Sequence, residues 1–166
     1  MLSRLFAIVA LLALNAFFVA VEFALVRARR SRLEAMVRAG DHFARFAVTA
    51  TSRSNLTRVL SAGQLGITLA SLGLGWVAEA SLGQFLEHWF AGLPIALELS
   101  VRLGIATTIA ITVVTYLHVV FGELAPRALS LNYPEAFAKW LAPPILALRS
   151  RLRGVSGMMS SRLPRT

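Results

Sequence analysis

At 166 residues, with 57% hydrophobic and only 15% charged side chains, the chain is too apolar for an ordinary water-soluble domain and reads as an integral membrane module. It has no cysteine, which excludes disulfides and thiolate metal sites. The net charge of +9 gathers after the first and last apolar runs, where the positive-inside rule places cytoplasmic segments beside anionic headgroups, and this argues against a nucleic-acid partner.

The first apolar run, Leu5 to Val21, is long enough to span and extends through Glu22 to Val26. A cleavable signal peptide is the competing reading, but the run continues into FFVAVEFALVRARR with no small-residue cleavage site. Asn15 and Glu22, seven apart, share one helical face. Glu22 faces protein or water, and pairing with a following arginine is the favoured role for it. Two short amphipathic pieces follow. Ser31-x-x-Glu34 fits a capping box with Gly40 as the stop, and Phe43 to Ala50 carries Phe43, Phe46 and Ala47 on one side. Both read as interfacial helices, arginines toward phosphate and aromatics toward acyl chains.

Ser54-Asn55 is a candidate cap for the second span, Leu60 to Val77, whose two faces differ. Ala62, Gly66, Ala70 and Gly73 form a small-residue stripe that lets helices approach closely. Ser61, Gln64, Thr68 and Ser71 form an oxygen-bearing stripe on the other side, either interhelical hydrogen bonding or a polar pathway. The stretch from Glu79 to Arg102 is acidic and is expected outside, with Leu82 to Phe90 a separate aromatic piece broken off by Gly92 and Pro94.

The third span, Leu103 to Phe121, runs for nineteen residues without a formal charge and ends in Gly122-Glu123-Leu124-Ala125-Pro126-Arg127. Pro126 has no N–H, so a helix passing through it should be kinked and should free carbonyls near Gly122, beside the Glu123 carboxylate. Freed carbonyls next to a carboxylate suit a hard cation; the alternative is that Glu123 marks where the span meets water and Arg127 snorkels. Thr108, Thr112 and Thr115 share the face toward which Glu123 projects, though threonines also bond to their own helix. Asn132-Tyr133-Pro134-Glu135 opens a surface helix that should end at Pro143-Pro144, and the chain beyond Arg149 reads as an irregular basic linker.

Three pieces together, Asn15 to Leu25, Gln64 to Trp76 and Gly122 to Arg127, resemble the transmembrane module of the CorC/CNNM family of magnesium transport proteins, whose bacterial members are also called hemolysin-like. The resemblance covers about Leu5 to Leu148. It implies an all-α integral membrane fold of three transmembrane helices with short juxtamembrane helices, assembled as a homodimer within membrane lipids. It also implies a transmembrane domain over residues 1–148, with residues 149–166 a truncated linker toward an absent cytosolic CBS-pair domain.

The implied function is magnesium transport, as efflux and with Na+ as a coupling ion, in the inner (plasma) membrane with the N-terminus outside and the C-terminus cytoplasmic. Carried over by position, the cation-site residues are Asn15, Gln64, Glu123 and Pro126, with Gly122 offering its carbonyl; Thr68 and Ser71 are neighbours added from the face argument. Relatives with serine in the first span have a ligand where Val19 and Ala20 offer none, leaving backbone carbonyls as substitutes. A non-transporting anchor or magnesium sensor is the alternative. An enzyme is not expected: His-Glu-x-x-His and Gly-x-Ser-x-Gly are absent, and His42, His88 and His118 fall on different segments, His118 reading as a packed or interfacial histidine.

Overall fold

The computed structural model describes residues 2–91 and 99–160, and every element in it is helical. In chain order these are α1 (Leu2–Arg27), α2 (Arg30–Arg38), α3 (Ala44–Ala50), α4 (Arg53–Ala91), α5 (Leu99–Leu117), a π-helical segment (His118–Leu124), α6 (Ala125–Asn132) and α7 (Pro134–Ser160). Three stretches are long and apolar enough to cross a membrane: Leu2–Arg27, Arg53–Val77 and Thr107–Asn132. The expected all-α architecture with three spans is therefore observed, and the chain divides into two compact units, Met1–Phe17 with Gly66–Pro126 and Phe18–Leu65 with Arg127–Thr166.

In the first unit, Ile8 of α1, Leu74 of α4 and Val114 of α5 are buried together, with Leu11, Leu12 and Val77 packed around them. The small-residue stripe of α4 has the role expected of it here. Ala70 is buried, and a Cβ on Gly73 would come within 3.3 Å of Leu11 Cδ2, so the absent side chain lets the leucine sit against the helix backbone. Thr108 and Thr112 bond to carbonyls one turn back on their own helix, Gly104 and Thr108 at 2.8 Å each, so their shared face is self-satisfied.

The second unit is organised by α2, α3 and α7. Ala44, Ala47 and Ala50 are the buried face of α3, which packs on α7, itself buried at Ala138, Ala142 and Ile145, and α2 adds Leu33. Alanines on both sides let the short helices approach closely. Gly40, at φ 92°, ends α2: Asp41 N–H reaches back to the Met36 carbonyl and Gly40 N–H to that of Val37, the left-handed stop expected from sequence. Asp41 then caps α3, its Oδ1 accepting from Phe43 N–H at 3.0 Å and Ala44 N–H at 3.3 Å. Its Oδ2 accepts from Lys139 Nζ of α7 at 2.8 Å. Glu135 ties the start of α7 to α2, accepting from Arg29 N–H at 3.4 Å and pairing with Arg32 at 3.8 Å.

Several expectations change. The capping box at Ser31 does not form; α2 starts at Arg30, and Glu34 pairs with Arg30 at 2.9 Å, an i, i+4 bridge replacing the reach back to the cap. Ser54 and Asn55 lie inside the first turn of α4, where Asn55 Nδ2 bonds to the Thr49 carbonyl at the end of α3. Among the described residues Glu22 forms no ion pair with an arginine. Helix α4 does not stop at Val77 but runs on to Ala91, so Leu82 to Phe90 is its continuation; the proposed break at Gly92 and Pro94, and the side chains of Glu79, Glu87 and Glu98, lie outside the described residues. Helix α7 likewise passes through Pro143 and Pro144 to Ser160, with buried Ala138, Ala142 and Ile145 anchoring it on both sides of the pair; residues 161–166 lie outside the described residues.

Two measurements on the detergent-solubilised chain probe the second unit. Leu33 is fully buried, so Leu33→Ala should lower unfolding stability by about 2–5 kcal/mol, whereas a peripheral α2 would show little change. The Lys139 hydrogen bond, helped by the N–H groups of Ala44 and Phe43, holds the Asp41 carboxyl below its ordinary value of 3.8. A depressed folded-state pKa stabilises above the unfolded value and is lost as pH falls through the folded one. The unfolding temperature of Asp41→Asn should accordingly lie below that of the wild type at pH 7, and the gap should close as the pH falls below 3.8.

Candidate functional site

The third span meets the Pro126 problem by widening rather than by stopping. Between His118 and Leu124 the backbone adopts π-helical i→i+5 bonding, as in Ala125 N–H to the Val120 carbonyl, and then continues as α6. In an α-helix the Gly122 carbonyl would accept from the N–H of Pro126, which does not exist. Asn15 of α1 supplies a donor instead: its Nδ2 lies 3.0 Å from the Gly122 oxygen. The carbonyl freed by proline was foreseeable; its partner was not.

Asn15 is 1% exposed, which demands that both ends of its carboxamide be satisfied. Its Oδ1 accepts from the Ser71 hydroxyl of α4 at 3.1 Å, and Ser71 Oγ lies 3.3 Å from His118 Nε2. The His118 ring also covers Gly122. A Cβ there would fall 2.8 Å from His118 Cδ2 and 3.1 Å from Asn15 Nδ2, so only glycine fits. Four residues from α1, α4 and the π-helical segment thus form one polar cluster within the first unit. Three of them, Asn15, Ser71 and Gly122, are among the sequence-nominated site residues.

Glu123 follows this cluster directly and is half-buried; Thr68 lies one turn from Ser71 on α4 and is exposed. Gln64 is exposed on α4 one turn before Thr68. Pro126 is buried at the start of α6. Val19 and Ala20, which lack side-chain oxygens, are buried at 3% and 5% exposure. Arg127, in the second unit, lays its guanidinium 4.5 Å from the centre of the Phe23 ring. Among the described residues no group of three or more His, Cys, Asp or Glu side chains gathers to hold a metal.

His118 is the residue that sequence reasoning undervalued. Its signal was spacing: His118, Gly122 and Pro126 recur every four residues on one helix face, so a ring at the first position covers the second, while the third removes the second's donor.

Comparison with known proteins agrees with this architecture. The description "Cyclin M transmembrane N-terminal domain" (CNNM) matches residues 6–157. The chain is 39% identical over 148 residues to the UPF0053 protein YugS of Bacillus subtilis (strain 168), covering 88% of this chain and 33% of that protein. It is 41% identical over 135 residues to the UPF0053 protein YhdT of the same organism, covering 81% and 28%. An uncharacterized protein of Mycobacterium tuberculosis is 37% identical over 147 residues, covering 87% and 40%. The chain therefore spans well under half the length of these curated relatives. With a family match over residues 6–157 and three helices of spanning length and apolarity, it is an integral membrane protein that belongs to the cyclin M transmembrane N-terminal domain family.

Proposed function

We propose that this chain is the membrane-embedded part of a magnesium transporter and that Glu123 is the acid that engages the ion. The observation that carries the reading is the π-helical turn in the third span: it sets a half-buried carboxylate beside a backbone whose regular hydrogen bonding is interrupted. π-Helical turns concentrate at functional sites, and an ionisable residue within a span faces protein or water rather than lipid. Magnesium takes near-octahedral oxygen coordination at about 2.0–2.1 Å and gives up water reluctantly, so one carboxylate with neutral oxygens suits an ion that must also be released. Thr68, one turn from Ser71 on α4, is the side chain of the first unit assigned as a neutral oxygen in this reading.

The finer features follow the family likeness. They are efflux coupled to sodium entry, a homodimeric assembly, and a plasma-membrane location with the N-terminus outside and the C-terminus and the basic segments after the first and last spans on the cytoplasmic side. A CBS-pair regulatory domain beyond residue 148 completes the proposal, and relatives more than twice as long as this chain leave room for it.

A second reading, a non-transporting anchor or magnesium sensor, draws on the same fact, since the chain covers only 28–40% of these relatives. Flux separates the two. Purified chain in liposomes loaded with a magnesium-sensitive dye should carry Mg2+ down a gradient. Glu123→Gln, which keeps the shape and removes the charge, should cut the rate by about tenfold or more, corresponding to about 1.4 kcal/mol or more of lost ion stabilisation. Full flux in Glu123→Gln would remove Glu123 from the site, and no flux in the wild type would favour the anchor.

A further inference from the structure

The cluster of Asn15, Ser71, His118 and Gly122 admits one direction of hydrogen bonding. The Gly122 carbonyl only accepts, so the Asn15 amide nitrogen faces it and Oδ1 faces Ser71. Oδ1 also only accepts, so the single Ser71 hydroxyl proton lies on it. With that proton committed, the 3.3 Å contact between Ser71 Oγ and His118 Nε2 requires Nε2–H as the donor. The order is His118 to Ser71 to Asn15 to the Gly122 carbonyl. A neutral His118 carrying its proton on Nδ1 would draw the Ser71 proton to itself and strip the buried Asn15 oxygen of its donor.

We propose that Asn15, Ser71 and His118 are positioning residues rather than ligands: they clamp the π-helical turn and so fix the orientation in which Glu123 meets the ion. The inference rests on the assignment of Glu123 above and deepens it. The Gly122 carbonyl and the Glu123 nitrogen belong to one planar peptide, so a donor that holds the carbonyl also holds the backbone from which the carboxylate projects. Asn15 stands in for the N–H that Pro126 lacks, Ser71 keeps Asn15 from turning over, and His118 keeps the Ser71 proton pointed at Asn15. Glycine at 122 is required for the clamp to close, because a methyl group would push against both the His118 ring and the Asn15 amide. The oxygens of Asn15 and Ser71 each accept a hydrogen bond within this chain of bonds, and on that ground two sequence-nominated ligands are assigned as supports.

The test uses the full chain in liposomes, with Mg2+ flux measured against Mg2+ concentration, and the same protein in nanodiscs for nitrogen-15 NMR of His118 and amide exchange across residues 118–125. Ser71→Ala should lower the maximal rate by about fivefold, the size of one net hydrogen bond, and leave the half-saturating Mg2+ concentration within about twofold. Exchange in the turn should rise by a similar factor. His118→Gln, which keeps an N–H donor, should recover most of the rate that His118→Leu loses. Wild-type His118, when neutral, should carry its proton on Nε2. The proposal is overturned if Ser71→Ala raises half-saturation about tenfold at an unchanged maximal rate, since the hydroxyl would then be a ligand. It is equally overturned if neutral His118 is protonated on Nδ1, or if exchange in the turn ignores the loss of Ser71. Should wild-type vesicles carry no magnesium, the transport reading fails by itself, and the tautomer and exchange measurements still decide the clamp. Ser71→Ala removes a single oxygen, so it carries the test even where His118→Leu fails to fold.

Discussion

Proline cannot donate a backbone hydrogen bond, and the first unit is arranged around the single donor that Pro126 withholds. A lost hydrogen bond inside a membrane span is costly because neither lipid nor water replaces it there. The chain answers twice, by widening the helix from His118 to Leu124 and by bringing the Asn15 amide to the Gly122 carbonyl. Each answer constrains other positions. Asn15 must be buried and needs Ser71; Ser71 needs a donor and meets His118; and His118 can lie over position 122 only if that residue is glycine. Glu123 is next in sequence, so its placement inherits all of these requirements.

The second unit is held by different physics. Its helices α2 and α3 are 9 and 7 residues long, too short to be stable alone, and their order comes from alanine faces packed against α7 and from polar ties at their ends. Asp41 serves twice, as cap of α3 through Oδ1 and as partner of Lys139 through Oδ2. Phe43 packs against Trp140 with ring centres 4.9 Å apart and the rings tilted by 32°, and Phe46 and Trp140 remain exposed.

Length and hydropathy made the three spans legible, because crossing a membrane demands about twenty apolar residues whatever their neighbours. Gly40, Pro134 and the freed carbonyl at Gly122 were legible for a similar reason, since glycine and proline act on the backbone locally. What the residues concealed depended on tertiary context. Arg30 claimed Glu34 before the cap could; two adjacent prolines stayed helical because buried residues flank them; and α4 did not stop where the polar composition changed. The partnership of Asn15 with Gly122 joins residues 107 apart, and no local pattern encodes it. Nor could spacing alone separate a ligand oxygen from one already committed to a neighbour.

The account comes down to whether a divalent ion meets the Glu123 carboxylate. An experimental structure of the chain grown with Mn2+, a Mg2+ mimic with anomalous scattering, tests this most directly. The account predicts an anomalous peak in bonding contact with a Glu123 carboxylate oxygen, while Asn15 and Ser71 keep their mutual hydrogen bond. A well-ordered Glu123 with no metal beside it at millimolar Mn2+, or a metal bound instead by the Asn15 and Ser71 oxygens, would contradict it.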